Sequence, residues 1–266
     1  MKIAVSGKGG TGKSTIAGLL AHYLTKSGFR VLAVDSDPDA NLASALGVPA
    51  EQVSRLVPIS AQRELIKERT GANPKQFGQL FKINPRVDDI PEEYSLEFRG
   101  IKLLVMGAVR KGGEGCACPE NVLLKNLLSE ILLNRNEAVV VDMEAGIEHL
   151  GRATSRAIDV MVIVVEPGAR SIATGKTIMR MAEEIGVRSF AVIGNKIQNQ
   201  DQRNWIKEEF PGDLIIGFVP YSEIIRDSDR GSQPLMDSLD AALRTEFQAI
   251  TNALIKNRDV PQRDTL

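Results

Sequence analysis

The chain has 266 residues, of which 43% are hydrophobic and 25% charged, enough apolar material for a core and too much for disorder as the main state. With 33 Lys plus Arg against 34 Asp plus Glu the net charge is −1, so no overall basic excess exists to grip nucleic acid or an anionic membrane. No apolar run approaches the roughly 18 residues of a transmembrane helix. The N-terminus, Met1 to Val5, runs into glycines too early for a signal peptide. The chain is therefore expected to be cytoplasmic, with neither nucleic acid nor membrane as a partner.

Runs rich in Val, Ile and Leu occur at Ile3–Ser6, Val31–Asp35, Ile101–Met106, Ala138–Asp142, Val160–Val165, Ser189–Asn195 and Leu214–Phe218. They are nearly continuous rather than alternating, the pattern of parallel strands buried on both faces. Segments of helical spacing separate them. Ile16, Leu19, Leu20, Tyr23 and Leu24 stripe the first, and Gly28 stands where a glycine would end it. Val122–Leu133, Ile172–Ile185 and Asp201–Phe210 fill later slots, and Met236–Asn257 reads as one final helix. Strict alternation predicts a doubly wound α/β fold, a mainly parallel sheet of about seven to eight strands with helices on both faces, with residues 1–266 as a single domain.

The Ser36–Gly100 connection breaks this rhythm, with about 65 residues where a simple crossover takes about a dozen. Within it Ser60–Arg69 is predicted helical with Thr70-Gly71 as its stop. Phe77–Ile83 and Tyr94–Phe98 are predicted as short strands, one of them an antiparallel edge. The insertion reads either as decoration or as a surface for partner docking or dimer contacts. The polar tail Asp259–Leu266 is expected to fray.

Gly7-Lys8-Gly9-Gly10-Thr11-Gly12-Lys13-Ser14, followed by Thr15, matches G-x-x-x-x-G-K-[ST] between a strand and an amphipathic helix. Glycines at these positions let backbone N–H groups curl around phosphates, and the helix N-terminus adds partial positive charge. Lys13 is expected to neutralise the β and γ oxygens and the Ser14 hydroxyl to take a position on Mg²⁺, so ATP, ADP and Mg²⁺ are the expected cofactors. After the second run, Asp35-Ser36-Asp37-Pro38-Asp39-Ala40-Asn41 sets carboxylates at a strand's C-terminal end, where one can orient water for attack on the γ-phosphate.

Lys8 departs from a plain phosphate loop. Lys8-Gly9-Gly10-Thr11-Gly12-Lys13-Ser14 resembles the deviant Walker A group of P-loop NTPases, which includes nitrogenase iron protein, the MinD and ParA partition ATPases and the tail-anchored targeting ATPase. The resemblance implies two subunits facing each other across two ATPs, with Lys8 reaching the neighbour's phosphates and joining Lys13 and Asp37 in catalysis. It assigns water positioning to Asp37 and leaves Asp35 and Asp39 as caps or contacts to Mg²⁺-bound water. Asp142-Met143-Glu144-Ala145-Gly146 resembles a Walker B strand merging into the second switch. By that likeness Asp142 would hold the Mg²⁺ shell and the Gly146 N–H would sense the γ-phosphate. Asn195-Lys196 resembles the family's adenine-reading position, with Val219-Pro220 flanking the base.

Both cysteines lie in Lys111-Gly112-Gly113-Glu114-Gly115-Cys116-Ala117-Cys118-Pro119, a metal-binding loop at 111–119. A C-x-C pair supplies two soft thiolates, half of a four-coordinate site. His22, inside the first helix, and His149, after the second switch, do not complete it. A twofold dimer presents Cys116 and Cys118 twice, so that four thiolates can hold one metal between two chains, a tetrahedral set that suits Zn²⁺; a redox-inert pair is the alternative. The loop follows the third strand and so emerges at the same sheet edge as the phosphate loop. Pro119 suits the first turn of the next helix, whose N-terminus, with Lys111, favours thiolates.

Taken with the phosphate loop and Ala145-Gly146-Ile147-Glu148-His149-Leu150, the cysteine loop makes the chain similar to the CooC family. That family comprises the nickel-inserting ATPases of carbon monoxide dehydrogenase, with the related maturation factor for acetyl-CoA synthase. The resemblance implies a homodimeric ATPase, hydrolysing ATP to ADP and phosphate, that binds Ni²⁺ through both cysteine pairs and delivers it to one of those enzymes as client. Two other readings stay open. A dimer-bridging [4Fe–4S] cluster could use the same four thiolates, although Ala145-Gly146-Ile147 lacks the iron protein's cysteine after Walker B and the scaffold ATPases' C-terminal Cys-x-x-Cys is absent. A MinD-like or ParA-like positioning ATPase would need a basic amphipathic C-terminal helix or a basic groove. Here Leu239, Leu243, Phe247, Ile250 and Leu254 form a stripe suited to packing on the sheet, and neither positioning role explains the cysteines.

Overall fold

In the computed structural model, which describes residues 1–37, 39–74, 76, 78–107, 118–135, 137–144, 152–229 and 234–258, the apolar runs become strands and the periodic segments helices. The chain opens with β1 (Lys2–Gly7), α1 (Lys13–Lys26), β2 (Val31–Asp35), α2 (Leu42–Ala45), α3 (Ala50–Val53), a 3₁₀ turn (Ile59–Ala61), α4 (Arg63–Thr70) and α5 (Ile90–Tyr94). It continues with β3 (Leu96–Phe98), β4 (Ile101–Val105), α6 (Pro119–Asn134), β5 (Ala138–Asp142), α7 (Arg152–Arg156), β6 (Val160–Val165) and α8 (Ala169–Ile185). It closes with β7 (Phe190–Ile197), α9 (Gln200–Glu209), β8 (Ile215–Pro220), α10 (Glu223–Asp229), α11 (Leu235–Ser238) and α12 (Ala241–Arg258). Among the described residues eight strands form one sheet in the order β3-β4-β2-β5-β1-β6-β7-β8. All pairs are parallel except β3 with β4 at the edge.

The strands read as unbroken apolar runs because both faces are covered. On β1, Ile3 and Val5 face one core and Ala4 the other, all fully buried. Leu20 and Leu24 of α1 and Phe247 and Ile250 of α12 fill the first face. Leu124, Leu127 and Ile131 of α6, Ile172 and Ile178 of α8 and Ile206 of α9 fill the second. Each such side chain contributes about 1.5 to 3 kcal/mol relative to exposure, so the two helical layers hold the strand ends, and the loops on them, in fixed positions. No helix among the described residues is long and apolar enough to cross a membrane.

Helix ends follow local chemistry. Gly28 adopts φ 90° just beyond α1, and Gly71 caps α4 at φ 81°, its N–H donating to the Lys67 carbonyl at 2.8 Å. The Tyr94–Phe98 run supplies the antiparallel edge strand β3. Two expectations are corrected. The single helix over Met236–Asn257 is two helices: Leu239 is extended (φ −56°, ψ 130°), and Asp240 starts α12 anew, its Oδ1 accepting the Leu243 N–H at 2.8 Å. The strand at Phe77–Ile83 is absent over its described part, 78–83. There Gly78 turns at φ 75°, the Lys82 N–H donates to the Thr70 carbonyl at 2.8 Å, and Leu80 and Ile83 are 97% and 69% exposed. The tail Asp259–Leu266 lies outside the described residues.

His22 sits half-buried on α1, away from the phosphate loop. Burial, then Lys26 and Arg99, push its pKa down to about 4. The folded state therefore binds this proton less readily than the unfolded chain, where histidine titrates near pH 6.5. The resulting stability is fully present above pH 6.5 and is lost as pH falls toward 4. His22→Gln should lack this loss, so the wild type should decline relative to the variant by about 1 kcal/mol across that window, allowing for the histidine's partial exposure. Thermal melts at stepped pH check it; a constant difference between the two proteins would refute it.

Candidate nucleotide-binding site

β1 lies between β5 and β6, and the chain crosses from β1 to β2 on one side and later returns to β6 on the other. In a doubly wound sheet this reversal opens a crevice at the carboxyl ends of the strands. The segment from Gly7 to Ser14 spans it. Gly12 precedes α1 at φ 90°, no side chain caps the helix, and its first turn carries no acidic residue, so the N–H groups at that end stay available to an anion. Within the loop the Thr11 N–H and Oγ1 both donate to the Lys8 carbonyl, at 3.2 and 2.8 Å, and the Ile16 N–H donates to the Gly12 carbonyl at 2.9 Å.

Three carboxylates meet this loop from the ends of β2 and β5. Lys13 Nζ lies 3.8 Å from Asp37 Oδ2, both side chains nearly buried. Asp37 Oδ1 accepts the Asp39 N–H at 3.0 Å. Asp35 accepts two backbone N–H groups, from Asp37 at 3.2 Å and from Leu42 at 2.9 Å, so it caps α2 and fixes the turn that carries Asp37. Burial pushes Asp35 up to about 6, against the pull of those two hydrogen bonds. Asp142 pairs in register with Asp35 across β2 and β5. Burial drives it up to about 7; the Ser14 hydroxyl and Lys13 act against this, Asp35 and Asp37 with it. Its two oxygens are buried and meet no donor at hydrogen-bond geometry.

A buried carboxylate with both oxygens unsatisfied beside the Ser14 hydroxyl fits a hydrated divalent cation. Among the described residues no group of three or more His, Cys, Asp or Glu side chains forms a complete cage. Mg²⁺ needs none, since it keeps several waters and takes one or two protein oxygens plus phosphate. The adjoining cavity measures 540 Å³ and is lined by Gly10, Gly12, Lys13, Ser14, Asp37 and Glu144 among others.

β7 also meets the phosphate loop. Asn195 Nδ2 donates to the Thr11 carbonyl at 2.7 Å, its Oδ1 accepts the Lys196 N–H at 2.9 Å, and the residue is 6% exposed. Lys196, at φ 60°, donates from Nζ to the Gly10 carbonyl at 2.6 Å and pairs with Glu166 at 3.4 Å. Both residues predicted to read adenine thus brace the phosphate loop. Val219 is fully buried, and Pro220 is the last residue of β8. Cys118 stands at the N-cap of α6, its carbonyl accepting the Val122 N–H at 3.1 Å. Gly146, Cys116 and His149 lie outside the described residues.

Glu166, Glu144, Asn41 and Ser44 also border the loop or its cavity and were not singled out from the sequence. Glu166 carried a usable signal, since it immediately follows β6 as Asp37 follows β2: a carboxylate at the carboxyl end of a parallel strand.

A strand–loop–helix phosphate cradle flanked by strand-end carboxylates is the arrangement of a P-loop ATPase, and the sequence comparisons agree. The chain belongs to the family of the CobQ/CobB/MinD/ParA nucleotide binding domain, whose model matches residues 2–235, and within it to the CooC-type ATPases. It is 47% identical over 256 residues to the carbon monoxide dehydrogenase accessory protein CooC of Rhodospirillum rubrum, covering 96% of this chain and 97% of that one. It is 45% identical over 259 residues to an uncharacterized ATP-binding protein of Methanocaldococcus jannaschii, covering 96% and 98%. Its fold resembles MinD complexed with Mg-ADP from Pyrococcus horikoshii, with a TM-score of 0.66, 18% identity and 96% and 95% coverage. It also resembles the MinC:MinD complex of Aquifex aeolicus, with a TM-score of 0.65, 22% identity and 97% and 96% coverage.

Proposed function

We propose that this chain is an ATP-dependent homodimeric metallochaperone that binds Ni²⁺ as cargo through Cys116 and Cys118 at the dimer interface. It would support nickel insertion into carbon monoxide dehydrogenase or acetyl-CoA synthase. The near-full-length relationship to a carbon monoxide dehydrogenase accessory protein supports the client. The observation that carries the metal reading is the position of Cys118. It stands at the N-cap of a 16-residue helix that follows β4, and β4 ends beside β2 at the edge where the phosphate loop lies. The positive end of that helix favours a thiolate, and metal and nucleotide then share one face.

In this reading Lys13 exchanges Asp37 for the β- and γ-phosphate oxygens, and the loop N–H groups cradle the phosphates. Ser14 and Asp142 would hold Mg²⁺, which supplies charge neutralisation at those oxygens. Asp37, released from Lys13, orients the water whose oxygen attacks the γ-phosphorus as the bond to ADP breaks. The Gly146 N–H senses the γ-phosphate, and Pro220 with the Val219 backbone flanks the base.

Lys8 would reach the neighbour's phosphates. Lys8→Ala should therefore weaken the ATP-dependent dimer about tenfold more than it weakens nucleotide affinity, whereas Lys13→Ala should damage both. Light scattering with and without ATP measures this; an undiminished ATP-induced dimer in Lys8→Ala refutes it.

The metal reading is tested by nickel titration of the anaerobic protein with simultaneous mass determination. One Ni²⁺ per dimer is expected, with affinity falling on acidification as protons compete for the thiolates. Zn²⁺ should bind as well, because four thiolates do not by themselves select nickel. Cys116→Ser or Cys118→Ser should abolish stoichiometric binding and leave ATP binding intact. One metal per monomer, or full binding by the double variant, overturns the shared site. A brown chromophore retained through anaerobic purification would instead favour a bridging iron–sulfur cluster.

A further inference from the structure

α1 runs from the phosphate loop to the opposite edge of the sheet, a rise of about 20 Å for its 14 residues. At its far end Tyr23 and Lys26 face Arg244, Thr245, Gln248 and Asn252 of α12 across a groove of 520 Å³. The lining holds two cations and no carboxylate. Tyr23 is only 4% exposed, and its hydroxyl has no hydrogen-bond partner among the described residues. Arg244 is held by its Nε, which donates to the Leu239 carbonyl at 2.7 Å, so its two terminal nitrogens remain as a donor pair. Lys26 lies over the Tyr23 ring, 5.5 Å from its centroid. Gln248 Nε2 donates to Asn252 Oδ1 at 3.1 Å, which leaves the Asn252 NH₂ as a further donor.

The surrounding charges do not neutralise this groove. Asp237, the carboxylate of α11, is committed to Arg99 by a bidentate pair at 2.7 and 2.5 Å. Neither Lys26 nor Arg244 has a carboxylate partner among the described residues. A guanidinium edge, an ammonium, a tyrosine hydroxyl and an amide NH₂ put two positive charges and several donors on one groove, which suits an anionic ligand rich in acceptors.

We propose that the groove between α1 and α12 is a binding site for a small oxyanion of the phosphate or dicarboxylate kind, separate from the nucleotide site. Arg244 would take two oxygens side by side, Lys26 would supply the second charge, and the Tyr23 hydroxyl would close the inner end. The proposal is independent of the nickel reading.

The test uses the full chain loaded with Mg-ADP, so that the phosphate loop is occupied, and labelled with ¹³C-tyrosine. The three tyrosines are Tyr23, Tyr94 and Tyr221, and Tyr23→Phe assigns the relevant signal. Inorganic phosphate at pH 7.5 should move the Tyr23 resonance saturably, with a dissociation constant of about 1 mM or below, and leave those of Tyr94 and Tyr221 in place. Sodium chloride at equal ionic strength should not reproduce the shift. Lys26→Gln combined with Arg244→Gln should weaken the response at least about tenfold while the ATPase rate stays unchanged. Succinate is the second arm: a tighter response to phosphate assigns a phosphate-bearing ligand, and a tighter response to succinate a dicarboxylate. A shift equal to that of chloride, or an unchanged titration in the double variant, overturns the site.

Discussion

Asp37→Ala is expected to lower ATP turnover about a hundredfold or more, the scale of a lost water-orienting or proton-accepting carboxylate, while ATP binds as tightly as before or tighter. The second half follows from the pairing of Lys13 with Asp37. Lys13 is nearly buried and its ammonium lies 3.8 Å from Asp37 Oδ2, so an incoming phosphate must displace a carboxylate to reach it. Without Asp37 the lysine is a buried charge lacking its partner, which penalises the empty protein and not the phosphate-bound one. Turnover and affinity should therefore move apart. Asp37→Asn refines the experiment, because its side-chain oxygen can still accept the Asp39 N–H that Asp37 Oδ1 accepts at 3.0 Å and preserve the turn. If Asn is as slow as Ala, the charge is what turnover requires. Steady-state hydrolysis and equilibrium nucleotide binding on the same preparations decide it, and hydrolysis at the wild-type rate would remove Asp37 from this role.

What the sequence disclosed depended on whether the signal was local. The parallel strands were legible because two-sided burial leaves runs such as Val160–Val165, every residue buried, with no polar interruption. The phosphate loop was legible because its glycines, Lys13 and Ser14 act within eight consecutive residues. The break between α11 and α12 was written locally too, in Asp240, yet the apolar stripe from Leu239 to Leu254 runs across it and hides the cap. The connection between β2 and β4 was less legible, since its pieces are held by distant partners. The α2 N-terminus takes a carboxylate oxygen from Asp35, seven residues upstream, and Gly47 packs against Pro234. The bracing of the phosphate loop by β7 was invisible for the same reason. Asn195 meets Thr11 and Lys196 meets Gly10 only because strand order sets β7 just beyond β6, one strand away from β1.

That long-range brace makes Gly12 sensitive to any added side chain. Gly12→Ala is expected to destabilise the fold by about 2 to 4 kcal/mol and to weaken ATP binding at least about a hundredfold. Two effects combine. At φ 90° an L-residue is strained by about 1 to 2 kcal/mol, and the added Cβ would stand 2.4 Å from Asn195 Nδ2. The amide must then retreat, which breaks its 2.7 Å bond to the Thr11 carbonyl and leaves that carbonyl without its donor. The Gly12 carbonyl also accepts the first helical N–H of α1, from Ile16, so a shifted Gly12 disturbs the helix start where phosphate would bind. Gly10→Ala separates the two effects: its φ of 82° imposes similar strain, but no atom lies within 4 Å of the new Cβ. It should cost about half as much or less. The clash itself is read by a double-mutant cycle, in which Gly12→Ala should be milder in an Asn195→Ala background, with a coupling of about 1 kcal/mol or more. Urea unfolding and ATP titration of the four proteins supply the cycle. Equal cost of Gly12→Ala in both backgrounds would show that Asn195 does not hold the loop.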